Sequence, residues 1–253
     1  MRLDGHIAFI TGAANGIGRA TAIRMAQEGA RIIVADTQAE GLNSLSATLH
    51  ESVIATVADI FTEEGRAQAI ERGVKAFGAP DILINCVGGS TKLPQADMPL
   101  ADMTEAQWDA MITFNIKGAF LCCRELIPAM KQNGAGSIVN LTSFTGRGIT
   151  AEAGVAYATA KAGLVGFTRR LAVEMAPFGV RCNAVAPGFV MTDRIRQQIW
   201  ERVGVEGQKA LIGRIPMGRF AQPEEIAGVI AFLASPDSSY MTGATLDCNG
   251  GIL

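Results

Sequence analysis

The 253-residue sequence predicts a doubly wound α/β domain: a parallel sheet of seven strands with helices on both faces. Three observations predict it. Short β-type runs alternate with longer helical patterns along the whole chain. Several of these runs, such as IIVA at 32–35 and ILIN at 82–85, are continuously apolar, as strands buried on both faces are. The first run also leads directly into a glycine-rich turn that opens a helix.

Taken in order, strands are expected at His6–Thr11, Arg31–Asp36, Val53–Asp59, Asp81–Val87, Gly136–Ser143, Val180–Ala186 and Ala244–Cys248. Helices fill the gaps at Gly16–Glu28, Gln38–Leu49, Glu63–Phe77, Glu105–Gln132, Ala153–Ala176 and Pro223–Ala234. The last opens well, with a proline and two acids in its first turn. No linker, repeat or low-complexity segment divides the chain, so 1–253 reads as one domain. The long segment Met191–Met217, which carries Arg194, Arg196, Trp200 and Arg202, reads as a lid over a substrate pocket, with a plain surface excursion as the alternative.

Composition narrows the function. Apolar residues make up 49%, charged residues 18% and net charge is −2, which fits a globular chain with no global pull toward nucleic acid or anionic membrane. No run of about 20 apolar residues predicts a membrane span. The N-terminus lacks the apolar length and cleavage site of a signal peptide, so a soluble, cytoplasmic protein is expected. Five cysteines in mostly apolar stretches read as reduced, buried thiols. The two histidines, His6 and His50, lie far from every motif, so neither a metal site nor a Ser-His-Asp site is expected.

The turn runs Thr11-Gly12-Ala13-Ala14-Asn15-Gly16-Ile17-Gly18. Glycines let backbone N–H groups approach a pyrophosphate, and the helix N-terminus adds partial positive charge. Asp36 ends the second strand, 20 residues after Gly16. A carboxylate there can accept both hydroxyls of an adenosine ribose and repel a 2′-phosphate, which predicts NAD over NADP. Capping of the next helix is the competing role for Asp36.

Tyr157 and Lys161 stand at i and i+4 of a predicted helix and share one face. Ser143 ends a strand just before it, where a doubly wound sheet faces its ligand crevice. Taking a hydride from an alcohol carbon requires a base for the hydroxyl proton, and an unperturbed tyrosine, with a pKa of about 10, is too weak. An ammonium about 4 Å away offers about 1 kcal/mol in water but about 4 kcal/mol at an effective dielectric near 20. Lys161 is therefore expected to activate Tyr157 in a partly dry site. Ser143 can donate a hydrogen bond to the substrate oxygen.

With these residues in hand, the chain resembles the short-chain dehydrogenase/reductase family over nearly its whole length. The family's T-G-x-x-x-G-x-G turn is Thr11 to Gly18, and its ribose-binding acid matches Asp36. Its adenine-contacting Asp matches Asp59, with Ile60 beside it. Its N-N-A-G appears as Asn85-Cys86-Val87-Gly88. Its active-site Asn matches Asn115, and Ser143, Tyr157 and Lys161 match its catalytic Ser, Tyr and Lys. Pro187, Gly188, Val190 and Thr192 match the segment that holds the nicotinamide amide and the phosphates. The resemblance implies a Rossmann-type fold and a floor beneath the adenosine ribose shaped by Asn85 and Gly88. It implies that Lys161 holds the nicotinamide ribose, that Asn115 supports a proton-carrying water chain, and that the C-terminal strand and tail pack between subunits of a homotetramer. One departure stands out. Ser143 to Tyr157 is one residue longer than the family spacing, and the extra residue is assigned to the loop Gly146–Gly154.

The reading is an NAD-dependent oxidoreductase interconverting a secondary alcohol and a ketone, with a 3-oxoacyl-thioester reductase as the nearest alternative. A nonenzymatic dinucleotide sensor has no use for Ser143, Tyr157 and Lys161 together. An enoyl reductase spaces its Tyr and Lys farther apart, and a sugar-nucleotide epimerase needs a larger C-terminal domain. Arg147, Arg194, Arg196 and Trp200 are candidate substrate contacts, the arginines for an anionic group; solvated surface arginines are the competing reading.

Overall fold

The structure is a computed structural model and describes residues 1–90, 93, 97–148 and 153–252. Its strands are β1 (Ile7–Thr11), β2 (Arg31–Asp36), β3 (Val53–Val57), β4 (Ile82–Asn85), β5 (Gly136–Leu141), β6 (Val180–Pro187) and β7 (Thr245–Cys248). All pair in parallel in one sheet, in the order β3-β2-β1-β4-β5-β6-β7. The main helices are α1 (Gly16–Gln27), α2 (Ala39–Leu49), α3 (Glu63–Phe77), α4 (Glu105–Ile112), α5 (Gly118–Asn133) and α6 (Val155–Met175). After β6 come α7 (Asp193–Ile195), α8 (Gly204–Gly213) and α9 (Pro223–Ala234).

Alternation along the strands builds two cores. In β1, Ile10 joins Ile32, Val34, Ile84 and Val139 beneath α1, α2 and α9. Its neighbour Phe9 joins Ile33, Leu83 and Ile138 beneath α3, α5 and α6. Successive side chains of a strand point to opposite faces, so an all-apolar strand is what helices on both sides demand. The strand order reverses between β1 and β4, and at that switch point the carboxyl ends of the strands open a crevice.

Strand ends are where the structure departs from the sequence reading. The third strand stops at Val57 rather than Asp59, because Asp59 turns the chain by accepting the Phe61 N–H at 2.9 Å. The fourth is Ile82–Asn85, not Asp81–Val87; the Asp81 carboxylate instead accepts the Ile7 N–H at 2.8 Å. The fifth ends at Leu141, not Ser143, since the Thr142 hydroxyl donates to the Lys161 carbonyl at 2.8 Å and Ser143 caps a short 3₁₀ turn.

The helix expected unbroken over Glu105–Gln132 contains a π turn at Thr113–Lys117 between α4 and α5. The 191–217 segment is largely helical: α7, a π turn at Arg196–Trp200, then α8. Its Trp200 ring meets Phe220 edge-on at 5.3 Å, which fastens the segment to the chain entering α9. Residues 149–152 of the loop assigned the extra residue lie outside the described residues. Among the described residues, no helix is long and apolar enough to cross a membrane.

Candidate active site

The crevice at the switch point is a cleft of about 650 Å³. Its floor is the glycine turn. Gly12 takes φ of +70° and Gly16 of +54°, in the left-handed region that glycine enters without cost. Gly18 is required by contact: a Cβ there would lie 2.1 Å from the Gly12 carbonyl oxygen. Asn15 occupies the α1 N-cap without capping it, because its side-chain amide donates to Gln38 Oε1 at 3.2 Å. No acidic residue stands in the first turn of α1 either. The uncapped, positively polarised helix end therefore faces a phosphate-sized need with its own N–H groups. Thr192 closes the turn from above, with its Cγ2 3.1 Å from where a Gly16 Cβ would stand.

Asp36 lines one end of the cleft and fills both roles expected of it. Its oxygens accept the Ala14 N–H, which fixes the turn, and the Gln38 N–H at the start of α2, each at 3.0 Å. A carboxylate offers about four acceptor sites, so two remain for a ligand. Asp59, one of whose oxygens holds the Phe61 N–H, lines the same end with Ile60.

The reactive groups, Asn115, Ser143, Tyr157 and Lys161, do not line the cleft themselves; they stand behind Gly88 and Leu141, which do. Tyr157 is hydrogen-bonded to Ser143. Ser143 Oγ accepts from the Thr145 hydroxyl at 3.0 Å and the Thr145 N–H at 3.3 Å, so its own proton is free to donate. The chain's other tyrosine, Tyr240, is fully exposed. Asn115 sits in the π turn, where its Oδ1 accepts the Gly89 N–H at 2.8 Å and its Nδ2 donates to the Gly89 and Met111 carbonyls, each at 3.0 Å. A Cβ on Gly88 would lie 2.8 Å from both Asn115 Oδ1 and Lys161 Nζ.

The electrostatics differ from the sequence expectation. Burial pushes the Tyr157 phenol above its ordinary value; the Ser143 hydrogen bond and the Arg194 charge pull the other way. Burial also pushes the Lys161 ammonium down to about 8, with Arg194 adding to the effect and Cys86 opposing it. Lys161 was expected to activate Tyr157, yet its Nζ donates to the Leu141 carbonyl at 2.8 Å and lies 5.7 Å from the centre of the Tyr157 ring. In this arrangement the cation acting on the phenol is Arg194.

Of the cofactor residues read from the sequence, Gly12, Asn15, Gly16, Ile17, Gly18, Asp36, Asp59, Ile60, Gly88 and Thr192 line the cleft. Asn85 does not. It is buried below the cleft, donating to Asn140 Oδ1 at 2.9 Å, and Asn140 in turn donates to Thr168 at 2.9 Å, so Asn85 ties β4 to β5. Pro187, Gly188 and Val190 also stand back. Pro187 ends β6, Gly188 N–H donates to the Cys248 carbonyl at 3.1 Å, and Val190 bridges to Ala221; together they aim Thr192.

The four substrate candidates separate. Arg147 lies in a two-pronged ion pair with Asp247, at 3.2 and 2.9 Å. Arg196 is exposed and outside the cleft lining, and Trp200 is committed to Phe220. Only Arg194 enters the cleft. Thr37, Gln38 and Phe61, also in the lining, were not singled out, although each directly follows a motif residue or its neighbour. Phe114 and Gln197 carried no sequence signal.

A glycine-floored cleft on a doubly wound sheet, with a serine, a tyrosine and a lysine grouped behind its wall, defines a nicotinamide-dependent oxidoreductase. A family model described as Enoyl-(Acyl carrier protein) reductase matches residues 12–253. The 3-oxoacyl-[acyl-carrier-protein] reductase FabG of Thermotoga maritima is 39% identical over 257 residues and covers 100% of both chains. D-threitol dehydrogenase of Mycolicibacterium smegmatis is 38% identical, covering 99% of this chain and 94% of its own. The crystal structure of levodione reductase superposes with a TM-score of 0.89 at 33% identity, covering 99% of this chain and 98% of that one. The chain belongs to the short-chain dehydrogenase/reductase family.

Proposed function

We propose that the chain is an NAD-dependent oxidoreductase that interconverts a secondary alcohol and a ketone, with Tyr157 as the acid/base. The observation that carries this reading is the Ser143–Tyr157 hydroxyl pair beside Lys161, which donates to the carbonyl of Leu141 in the cleft wall. The cleft residues fit the cofactor: an uncapped helix N-terminus for a pyrophosphate and a carboxylate with spare acceptor sites for ribose hydroxyls. When bound, the nicotinamide ring supplies the hydride acceptor or donor. In reduction the Tyr157 phenol gives its proton to the substrate oxygen; in oxidation its phenolate, favoured by the Ser143 hydrogen bond and the Arg194 charge, takes that proton back. Ser143 donates to the same oxygen and holds it in place. Lys161 would hold the nicotinamide ribose. Asn115 fixes the Gly88–Gly89 turn through its side chain, committed to Gly89 and Met111, and from that place supports the water chain that carries the proton away.

The 3-oxoacyl-thioester reductase reading gains from the Thermotoga maritima relative. Asp36 separates the two, since a ribose-binding carboxylate opposes the 2′-phosphate of NADPH. Catalytic efficiency measured with NADH and NADPH decides, and a preference for NADPH overturns the NAD assignment. Tyr157→Phe is expected to keep NADH affinity and lose about 100- to 10,000-fold in turnover; near-wild-type turnover would remove Tyr157 from the chemistry. The thiols of Cys122, Cys123 and Cys182 are buried, which fits a reducing, cytoplasmic compartment. Phe120 on α5 and Val173 on α6 are exposed apolar side chains, which fits a homotetramer that covers them; light scattering reads the number of chains per particle.

A further inference from the structure

Arg194 is the one substrate candidate that reaches the cleft, and its surroundings are unusual. Its guanidinium packs against Gly89, Nη1 foremost: a Cβ on that glycine would be 2.3 Å from Nη1 and 3.2 Å from Nη2. The preceding glycine, Gly88, packs against Lys161 in the same way: a Cβ there would be 2.8 Å from Nζ. A guanidinium and an ammonium thus flank one dipeptide, beside Tyr157. Among the described residues, Arg194 makes no ion pair and no hydrogen bond. The neighbouring carboxylate, Asp193, is exposed and not paired with it. Among the described residues, the Lys161 ammonium donates to the Leu141 carbonyl and to no carboxylate. Cys86, the other ionisable group here, has its thiol pushed up to about 12 by burial and carries no charge at neutral pH.

Two cations brought together without a carboxylate are costly unless a ligand supplies negative charge. An oxidised nicotinamide ring adds positive charge to the same end. The cofactor's own diphosphate has a place elsewhere, at the α1 N-terminus under Thr192. We propose that Arg194 is a specificity residue that pairs with a carboxylate carried by the substrate close to its reacting carbon, so that the natural substrates are hydroxy acids and their keto acids. This rests on the alcohol–ketone reading given above and narrows it. Arg147 and Arg196 have no part in it.

The test compares 3-hydroxybutyrate with its methyl ester, and acetoacetate with its methyl ester, in the wild-type protein and in Arg194→Gln. The wild-type protein is expected to favour the acids over the esters by at least about tenfold in kcat/KM, and Arg194→Gln to cut that ratio by about 30-fold. Titration calorimetry of acetoacetate into the NAD-loaded protein gives a readout without turnover. Binding should weaken by about the same factor in Arg194→Gln. Dye-free fluorescence titration of NADH should show a Kd within about threefold in the two proteins. An unchanged acid-to-ester ratio overturns the proposal. So does a tenfold weaker NADH Kd with the ratio unchanged, which would assign the cation to the cofactor diphosphate. If the wild-type protein turns over neutral secondary alcohols but neither binds nor turns over the acids, the proposal falls and the alcohol–ketone reading stands. Absence of turnover with every alcohol and ketone, acidic and neutral, sinks both.

Discussion

Lys161 shows how a functional residue opposes the stability of its own fold. Its pKa of about 8 in the folded protein lies below the ordinary 10.5 because burial disfavours the charge. Between those two pH values the unfolded chain binds the extra proton, so this residue makes stability rise with pH across that window. Below pH 8 the cost is complete, and it vanishes above about 10.5. A shift of this size corresponds to about 3 kcal/mol, less about 1 kcal/mol for the hydrogen bond to Leu141 that the same side chain provides. Lys161→Met is therefore expected to stabilise the cofactor-free protein by about 1–2 kcal/mol at pH 7, with the gain closing toward pH 10.5, while abolishing turnover. Urea denaturation at the two pH values measures it; a less stable variant at pH 7 would show that the hydrogen bond outweighs the burial. The sequence revealed Ser143, Tyr157 and Lys161 because helical spacing and strand position bring them together locally. It did not reveal which arginine faces the cleft. Arg147 is removed from contention by Asp247, whose nearness across the sheet is a property of topology and leaves no trace in local spacing.

At the scale of elements, polar side chains set the boundaries that apolar patterning left vague. Periodicity located every strand, but Asp59 ends one through a local turn to Phe61, and Asp81 and Thr142 end or displace others through hydrogen bonds to groups that only the fold brings near. The π turn at Thr113–Lys117 was invisible for a related reason: a one-residue bulge barely disturbs the apolar stripe of a long helix. Its stability depends on Asn115, whose amide satisfies one N–H and two carbonyls in a buried place. Asn115→Leu removes all three partners at once. Each orphaned group costs about 1–3 kcal/mol, reduced by relaxation of the turn, so a loss of about 2–4 kcal/mol is expected in urea denaturation. Asn115→Asp, which keeps the acceptor for Gly89 and loses the donors, should fall between the two. A loss below about 1 kcal/mol in the leucine variant would mean that the π turn is held by its neighbours instead.

At the scale of the molecule, the cleft is the seam between the two halves of the sheet. Asp36 and the glycine turn stand on the β1–β2 side, and Tyr157, Ser143 and Lys161 on the β5–α6 side. A cofactor spanning it adds a link between halves that are already joined by the β1–β4 pairing and by the core shared by α1 and α9. A ligand that binds only the folded chain stabilises it by about 2.7 kcal/mol at a hundredfold excess over Kd. For a chain of this size that is a rise of about 5–10 °C in Tm. NADH is expected to produce it, and NADPH at the same concentration a much smaller rise, because the 2′-phosphate would meet the Asp36 carboxylate. Asp36→Ala should act twice. The variant loses the acceptor for the Ala14 and Gln38 N–H groups, so its own Tm falls without any ligand; and it loses the discrimination, so the NADH and NADPH shifts converge. Thermal unfolding of both proteins with each cofactor separates the two effects. Equal shifts in the wild-type protein would show that Asp36 serves the turn alone, and cofactor choice would then have to come from Thr37, Gln38 or another group at that end of the cleft.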